Sequence, residues 1–448
     1  MCASMSITER SSAYVAMRIP PRPRLTPPIK SSGRAGMESR VLEELRELLR
    51  IPRYRLLLAA RFVSNIGNGM APIALAFGVL SLDGADAGSL SLVTTAQMIP
   101  LVAFLLIGGV AADRFGRSQL VGSTDIIGSF VVAVSAIAFL TGNASIPLLC
   151  VNGFIFGVLN ALWYPAFSGL MPMIVPGPLL QGANSILGLG ANVGFTLGAS
   201  IAGFIVSAAG PGWGLLGDAG SFLIAGVLVL SLRLPKSFGE NTDEDRSSMI
   251  TQLRVGWKEF SSRRWIVLIV GAFAFYHLAF EAFIAVLAPV HMKEDFDGAR
   301  AMGTMMFGFG LGSILGTGLA FRFKPRRPLL IAVGVMPMGA AWMLATGLSA
   351  PLWVLFLTAA GTGVAIDVMY ANWMTTLQTN VPEEALSRVG SYDAFGSLAF
   401  APIGLLVAGP LAHALGASAS IIIVGTIALI AVLAPLMSGE VRHLQRTH

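Results

Sequence analysis

The sequence Gly109-Val110-Ala111-Ala112-Asp113-Arg114-Phe115-Gly116-Arg117-Ser118 joins two long apolar blocks, residues 90–112 and 118–140. A basic turn between two membrane helices would account for Arg114 and Arg117, because Lys and Arg collect on the cytoplasmic side. It does not account for Asp113 or for the two glycines, Gly109 and Gly116. Residue types this specific, at fixed spacing, indicate a turn with a packing role.

Apolar blocks of similar length fill the rest of the chain. The 448 residues are 54% hydrophobic and only 12% charged, whereas about 25% of an ordinary soluble domain is charged. A helix needs about 20 apolar residues to cross a hydrocarbon core. We therefore predict an all-α integral membrane protein with twelve transmembrane helices, over residues 54–80, 90–112, 118–140, 146–170, 181–209, 213–232, 265–290, 301–321, 328–347, 352–378, 385–412 and 417–437.

The positions of Lys and Arg predict the orientation. If the N-terminus is cytoplasmic, 27 of the 30 basic residues fall in cytoplasmic segments, against Lys293 and Arg300 on the other side and Arg61 inside the first block. This bias predicts that both termini are cytoplasmic and that the lipid bilayer of the cell membrane surrounds the chain. Because the basic residues form no single patch, the net charge of +6 does not indicate a nucleic-acid partner.

Polar stretches divide the chain into five parts. We predict a disordered tail over 1–45, a six-helix bundle over 46–232, a cytoplasmic linker with an amphipathic helix over 233–264, a second six-helix bundle over 265–437 and a short tail over 438–448. Met37 is an alternative start, and residues 1–40 lack the apolar segment of a signal peptide. Cys2 and Cys150 give neither a disulfide framework nor a metal site.

The two predicted bundles repeat one another. A shift of 206 residues aligns ten identical pairs without a gap over about 60 positions, among them Tyr164 with Tyr370 and Gly198 with Gly404. We therefore expect two pseudo-symmetric bundles. Duplication of a six-helix unit is typical of transporters, whose substrate site lies between the halves near the membrane midplane.

The turn at 109–118 resembles the loop motif of the major facilitator superfamily. Gly109, Asp113, Arg114, Gly116 and Arg117 match that motif, whereas Ser118 stands where a basic residue is usual. The resemblance covers about residues 45–437 and implies alternating access, with this turn as a cytoplasmic gate motif. The corresponding turn at 318–327 keeps basic residues but lacks the Asp.

A glycine run in the fifth block points to one branch of the family. Gly190, Gly194 and Gly198 match the helix-five motif of proton-coupled exporters, although Phe195 replaces its proline and Ala199 its last glycine. The same run also predicts close helix packing through small residues. Arg61 and Ser64-Asn65-Ile66-Gly67 in the first block, and Pro165 followed by Val175-Pro176 around the fourth, look most like the drug and macrolide efflux branch.

Polar groups inside the apolar blocks are candidates for a proton or substrate pathway, because such groups are costly in contact with lipid. Arg61, Asn65 and Asn68 form one stripe, although Arg61 could instead snorkel to the membrane edge. His277 and Glu281 share a helix face and are predicted to pair. Asp367 and Tyr370 share another face.

Three further aspartates lie in or near the apolar blocks. Asp125 is a further candidate for the pathway and is also expected to be a partner of Arg114, whereas we expect Asp218 and Asp393 to cap helices. Among the carboxyls, Glu281 is the first candidate for a titrating proton carrier and Asp367 the second, because surroundings of this kind change the proton affinity of a carboxyl. A structural hydrogen bond is the alternative for each.

These patterns lead to one expected function and two alternatives. The resemblance implies proton-coupled efflux of a small amphipathic compound by a monomer, with protons as the coupling ion. The alternatives are an uptake symporter or facilitator of a polar solute, and a membrane scaffold or sensor. No nucleotide loop, metal-ligand spacing or nucleophile motif predicts an enzyme, a cofactor or a metal.

Overall fold

The computed structural model describes residues 43–234, 257–322 and 325–444, and their side chains apart from those of 105–113, 321, 383–384, 387–388 and 391. Contacts divide the chain into two compact units, Met1–Glu44 and Leu45–His448, and everything below concerns the second. The predicted tail 1–45 and linker 233–264 lie largely outside the described residues. Of the predicted tail 438–448, a short helix over Gly439–His443 is described.

Twelve of the described helices are long and apolar enough to cross a membrane, so the predicted fold class is confirmed. No strand occurs in the described ranges. The helices are α1 Pro52–Leu80, α2 Ala87–Phe115, α3 Arg117–Leu140, α4 Ile146–Ser168, α5 Leu180–Ala209, α6 Pro211–Leu230, α7 Arg264–Ala282, α8 Gly298–Arg322, α9 Pro328–Val335 with Pro337–Gly347, α10 Leu352–Asn380, α11 Glu383–Leu398 with Ala401–Leu415, and α12 Ala417–Leu433.

Three of these helices depart from regular geometry. α7 continues through a π-helical turn, Phe283–Leu287, into a further α-helical segment, Ala288–Asp295. α9 is interrupted at Met336, immediately before Pro337, and α11 is interrupted shortly before Pro402. Proline lacks the N–H that an unbroken helix needs and clashes with the preceding turn, which explains both interruptions.

The halves α1–α6 and α7–α12 use equivalent glycine contacts. Gly198 of α5 lies against the Ile66 carbonyl of α1, and Gly404 of α11 lies against the Leu278 carbonyl of α7. The glycines are 206 residues apart and their partners 212 residues apart, so the repeat in the sequence is also a repeat of packing. A side chain at either glycine would collide with backbone, which only small residues avoid.

The two halves touch each other through α5 with α8 and α2 with α11. We call the side on which α1 begins the near face and the opposite side, with residues 81–86, the far face. Close to the far face, Gly203 meets Gly303, and Gly409 meets Gly88. Because a Cβ atom at Gly303 would lie 2.8 Å from the Gly203 Cα atom, the halves are closed tightly on this side.

On the near face, the space between the halves is open. Tyr164 of α4 and Tyr370 of α10, a pair related by the repeat, have 66% and 57% of their surfaces exposed. Both side chains lie toward the near-face ends of their helices and are accessible. The halves are therefore closed at the far face and leave these two positions open toward the near face.

Candidate functional site

A cavity of about 400 Å³ lies between the halves, beneath the far-face contacts. Its wall comes from both halves and is mainly apolar. The aromatic lining residues are Phe156, Phe195, Phe280, Phe309 and Trp342. The methionines are Met98, Met302 and Met306.

Glu281 of α7 is one of two charged residues among those that line the cavity. Within the described part of the chain, no hydrogen bond or ion pair of its carboxyl is found. The predicted pairing with His277 is wrong, because His277 Nδ1 lies 2.9 Å from the carbonyl of Phe273 in its own helix. A common helix face is not enough for a contact when the imidazole has a backbone partner one turn away.

Asp218 of α6 is the second charged residue at the cavity, and the prediction that it caps a helix is wrong. The residue that caps α6 is Gly210, and Asp218 lies two turns further in. Asp218 is fully buried, and neither of its carboxyl oxygens has a hydrogen-bond partner among the described residues. The helix starts at Pro211 and not at residue 213, where the predicted block begins. The distance of Asp218 from that start is the feature of the sequence that could have indicated a position inside the helix.

Arg61 forms a second polar cluster, away from the main cavity. Its guanidinium lies 5.0 Å from the ring centroids of Trp163 and Phe167 in α4. Together with Asp125 and Trp163 it lines a small cavity of about 10 Å³, and the charges of Arg61 and Asp125 interact. Arg61 therefore does not snorkel to the membrane edge.

The predicted partner of Asp125 is also corrected. Asp125 is buried in α3 and faces Arg61 and Trp163, whereas Arg114 is exposed at the near face and lies over the ring of Phe115. Asp125 is two helical turns from the end of α3 that adjoins Arg114. This separation explains why the two residues find different surroundings.

Asp367 of α10 takes part in hydrogen bonds between helices. Its Oδ2 accepts from Ser313 Oγ at 2.5 Å and from Thr317 Oγ1 at 3.1 Å, both in α8. Tyr370, one turn away, is exposed in the near-face gap. Neither residue lines the main cavity.

The remaining candidates of α1 and the other predicted cap are also accounted for. Asn65 is buried and donates from Nδ2 to the Arg61 carbonyl at 2.7 Å. Asn68 is half-buried and, like Asn65, does not line the cavity. Asp393 lies inside α11 and accepts a hydrogen bond from Trp373 Nε1 at 3.0 Å, so its predicted capping role is wrong.

The turn at 109–118 is described in part, since the side chain of Asp113 and the surroundings of Gly109 lie outside the described side chains. Gly116 is the N-cap residue immediately before α3 and has a φ of +88°, a conformation that glycine adopts without strain. Arg117 Nη1 donates to the Gly169 carbonyl at 3.1 Å. Arg117 thus ties the turn between α2 and α3 to the end of α4.

The glycine run of α5 packs against α1. Cβ atoms built at Gly190, Gly194 and Gly198 would lie 3.3, 2.6 and 1.9 Å from Leu58, Phe62 and Ile66, respectively. The contacts tighten toward the far face, where the helices approach most closely.

No cluster of His, Cys, Asp and Glu that could hold a metal ion is found among the described residues.

Comparisons with known proteins agree with this architecture. Residues 57–392 match the family described as the Major Facilitator Superfamily. The chain is 26% identical over 381 residues to the multidrug efflux pump Tap of Mycolicibacterium fortuitum, covering 82% of this chain and 90% of that one. It is 24% identical to the enterobactin exporter EntS of Salmonella typhi, covering 88% and 94%.

A solved structure of a mutant form of the nucleoside transporter NupG superposes with a TM-score of 0.68 at 12% identity, covering 86% of this chain and 99% of that one. At this identity the likeness concerns the fold alone. The family match spans most of the chain, and the proteins that it resembles are transporters, not enzymes. The chain belongs to the Major Facilitator Superfamily and is a multi-pass membrane transporter.

Proposed function

We propose that the protein exports a small amphipathic compound from the cytoplasm in exchange for protons, by alternating access. The observation that carries the proposal is the cavity between the halves, which is mainly apolar and lies below a closed far face. It contains the carboxyl of Glu281, for which no partner is found among the described residues. A carboxyl without a fixed partner is free to exchange a proton with a passing ligand. The multidrug and siderophore exporters among the relatives support the direction of transport.

We further propose that the near face is cytoplasmic. α1 follows the first of the segments that the sequence predicts to be cytoplasmic, and these segments together hold 27 of the 30 basic residues, as expected for a protein of the cell membrane with both termini inside. The conformation open at the near face would then be the one in which an exporter takes up its substrate. Because each chain carries both halves, a monomer is sufficient for function.

The test is proton movement in inverted vesicles that contain the purified protein. A pH gradient is imposed, a panel of amphipathic compounds is added, and the dissipation of the gradient is recorded for the wild type, Glu281→Gln and Glu294→Gln. Glu294 follows in the same helix but is exposed and outside the cavity, so its variant is the matched control. We expect the wild type and Glu294→Gln to respond and Glu281→Gln not to respond.

Other results lead to different conclusions. An equal response of Glu281→Gln and the wild type would make Glu281 structural and Asp367 the next carrier to test. Compound flux without proton movement would remove the proton from the proposal. If no compound causes flux, export is contradicted, and uptake of a polar solute or a role without transport takes its place.

A further inference from the structure

Three arginines of the second half are exposed at the near face. Arg326 and Arg327 directly precede α9, and Arg442 lies in the short helix Gly439–His443 that follows α12. No ion pair of these three side chains is found among the described residues, whereas the exposed Arg300 of the far face has an aspartate partner 3.1 Å away. We call Arg326, Arg327 and Arg442 the basic corner.

The end of the chain is folded back so that Arg442 lies beside the start of α9. A 3₁₀ turn, Ala434–Met437, and a break at Ser438 lead from α12 into the short helix. This helix packs against the first segment of α9. Val441 is fully buried there, and Leu444 packs half-buried against the same core. Arg442 is therefore held in place by its neighbour Val441.

Met437 marks the level of the membrane surface next to the basic corner. It is 85% exposed, and Leu433, four residues earlier, is 42% exposed. Contact of such apolar side chains with water is unfavourable, so at the end of a membrane-spanning helix they are expected to contact lipid chains. Arg442 follows Met437 by five residues and so lies just outside the hydrocarbon, where the headgroups are.

We propose that the basic corner binds an anionic phospholipid of the near-face leaflet, with the lipid phosphate on the three arginines and an acyl chain along Leu433 and Met437. Guanidinium groups bind phosphate oxygens through paired, charge-assisted hydrogen bonds. Each basic residue near a membrane surface contributes about 1 kcal/mol to the attraction of anionic lipid. The site depends neither on the direction of transport nor on its coupling to protons.

The charges around the basic corner favour an anion. Glu440, in the first turn of the short helix, is the acidic residue of that helix, and it leaves the corner with an excess of positive charge. The start of α9 has no side-chain cap, and the positive end of its helix dipole adds to the attraction. A zwitterionic lipid carries its own cation beside the phosphate and would gain less from these groups.

The tendency of basic residues to lie on the cytoplasmic side accounts for the charges but not for their arrangement. That tendency orients a membrane protein wherever the basic residues stand in the loops. Here a separate helix, fixed by the buried side chain of Val441, brings Arg442 from the end of the chain to Arg326 and Arg327. The arrangement is that of a built site.

The experiment measures lipid binding to the purified full-length protein in detergent by native mass spectrometry. The probes are phosphatidylglycerol and phosphatidylcholine with identical acyl chains. Arg53, an exposed arginine at the near-face start of α1, provides the matched control. The proteins are the wild type, Arg442→Gln, the double variant Arg326→Gln with Arg327→Gln, Met437→Gln, Val441→Ser and the control Arg53→Gln.

We expect the wild type and Arg53→Gln to bind phosphatidylglycerol at least tenfold more tightly than phosphatidylcholine. Arg442→Gln should weaken phosphatidylglycerol about fivefold and the double variant more than tenfold, at about 1 kcal/mol for each charge. Met437→Gln should weaken both lipids and leave their ratio unchanged, because the acyl chains are the same.

Val441→Ser separates a built site from scattered charge. It keeps all three arginines but loosens the short helix from the core, so its preference for phosphatidylglycerol should fall as in Arg442→Gln. An unchanged preference would show that charge alone attracts the lipid and would overturn the site. Size-exclusion profiles identify any variant that does not fold, and the variants of the exposed arginines then decide.

Two further results would also contradict the proposal. One is equal binding of the two lipids to the wild type, or wild-type preference in both arginine variants. The other concerns a free anion as the source of the phosphate. If glycerol phosphate, which has no acyl chain, displaces phosphatidylglycerol at equal concentration, the basic corner is an anion site and not a lipid site.

Discussion

Asn192 of α5 donates a hydrogen bond from Nδ2 to Ser313 Oγ of α8 at 3.2 Å, and this bond joins the two halves of the transporter about midway along both helices. Ser313 in turn donates to Asp367 of α10. One hydroxyl thus connects an amide in the first half with a carboxyl in the second. The contact between α5 and α8 extends from here to Gly203 and Gly303 at the far face.

Replacement of Ser313 should weaken the closed far face. Ser313→Ala removes the hydrogen bond between the halves, which is worth about 1 kcal/mol, or roughly a fivefold change in the ratio of far-closed to far-open molecules. Spin labels at Asn143 and Leu348, in exposed far-face turns of the two halves, report this ratio by pulsed electron resonance. Cys2 and Cys150 are replaced beforehand.

A control and a double variant make the prediction specific. Ser185 lies on the same α5 helix and bonds the Gln181 carbonyl of its own helix, so Ser185→Ala should leave the distances unchanged. Asn192→Ala should act like Ser313→Ala on the label distances, and the double variant should be no worse than either, because both remove the same bond between the halves. Additive effects would show that the two residues act separately.

Closure of the far face should depend on glycine at position 303. In Gly303→Val the new Cβ atom would lie 2.8 Å from the Gly203 Cα atom, and backbone atoms cannot yield as a flexible side chain can. We expect the same pair of labels to move to longer distances and substrate transport to fall more than tenfold. Gly318→Val is the matched control, since Gly318 lies in the same helix with open space around it. Similar behaviour of the two variants would contradict a close contact.

The helices could be predicted from the sequence far better than the site could. Membrane thickness fixes the length of each apolar block, so all twelve helices were predicted, and the 206-residue repeat recurs in the contacts of Gly198 and Gly404. Which charges meet depends on how distant helices pack. Arg61 and Asp125 lie on α1 and α3, and no local pattern joins them.

Local sequence patterns also gave wrong side-chain roles in two situations. In one the predicted start of a helix was misplaced, and in the other a backbone carbonyl competed for the side chain. Asp218 seemed close to the end of a block, yet it lies two turns inside α6 and beside the cavity. His277 shares a face with Glu281 but bonds its own backbone. Spacing indicates which side chains could meet, whereas rotamers and neighbouring helices decide which ones do.

Arg61 should stabilise the first half through its contacts with the rings of Trp163 and Phe167 and through the nearby carboxyl of Asp125. Arg61→Gln leaves Asp125 buried without a cation, and we expect the free energy of unfolding to fall by about 1–3 kcal/mol. Arg61→Lys should restore little of it, because an ammonium cannot stack flat on Trp163 and Phe167 as a guanidinium does.

Unfolding in mixed micelles followed by circular dichroism measures this loss. Arg53→Gln, an exposed arginine of the same helix, is the control and should change stability by less than about 0.5 kcal/mol. Addition of Asp125→Asn to Arg61→Gln should recover part of the loss, because it removes the uncompensated charge. A further decrease in the double variant would show that Asp125 is stabilised by a different partner.

Asp86 should stabilise the start of α2 in a pH-dependent manner. The backbone N–H of Ser89 donates to Asp86 Oδ1 at 2.9 Å, and this bond holds the pKa of the exposed Asp86 carboxyl below its ordinary value. Because the pKa is lower in the folded state, the contribution is complete above the unfolded value of about 3.9 and is lost as the pH falls through the folded value.

Hydrogen exchange of the amides at the start of α2 checks this cap. At pH 7, Asp86→Ala should reduce their protection roughly fivefold, since loss of an N-cap costs about 1 kcal/mol, and the difference from the wild type should shrink below about pH 4. Asp86→Asn retains a capping oxygen but has no carboxyl to titrate. Its protection relative to Asp86→Ala should therefore not change with pH, and a pH-dependent ratio in that pair would assign the effect to another group.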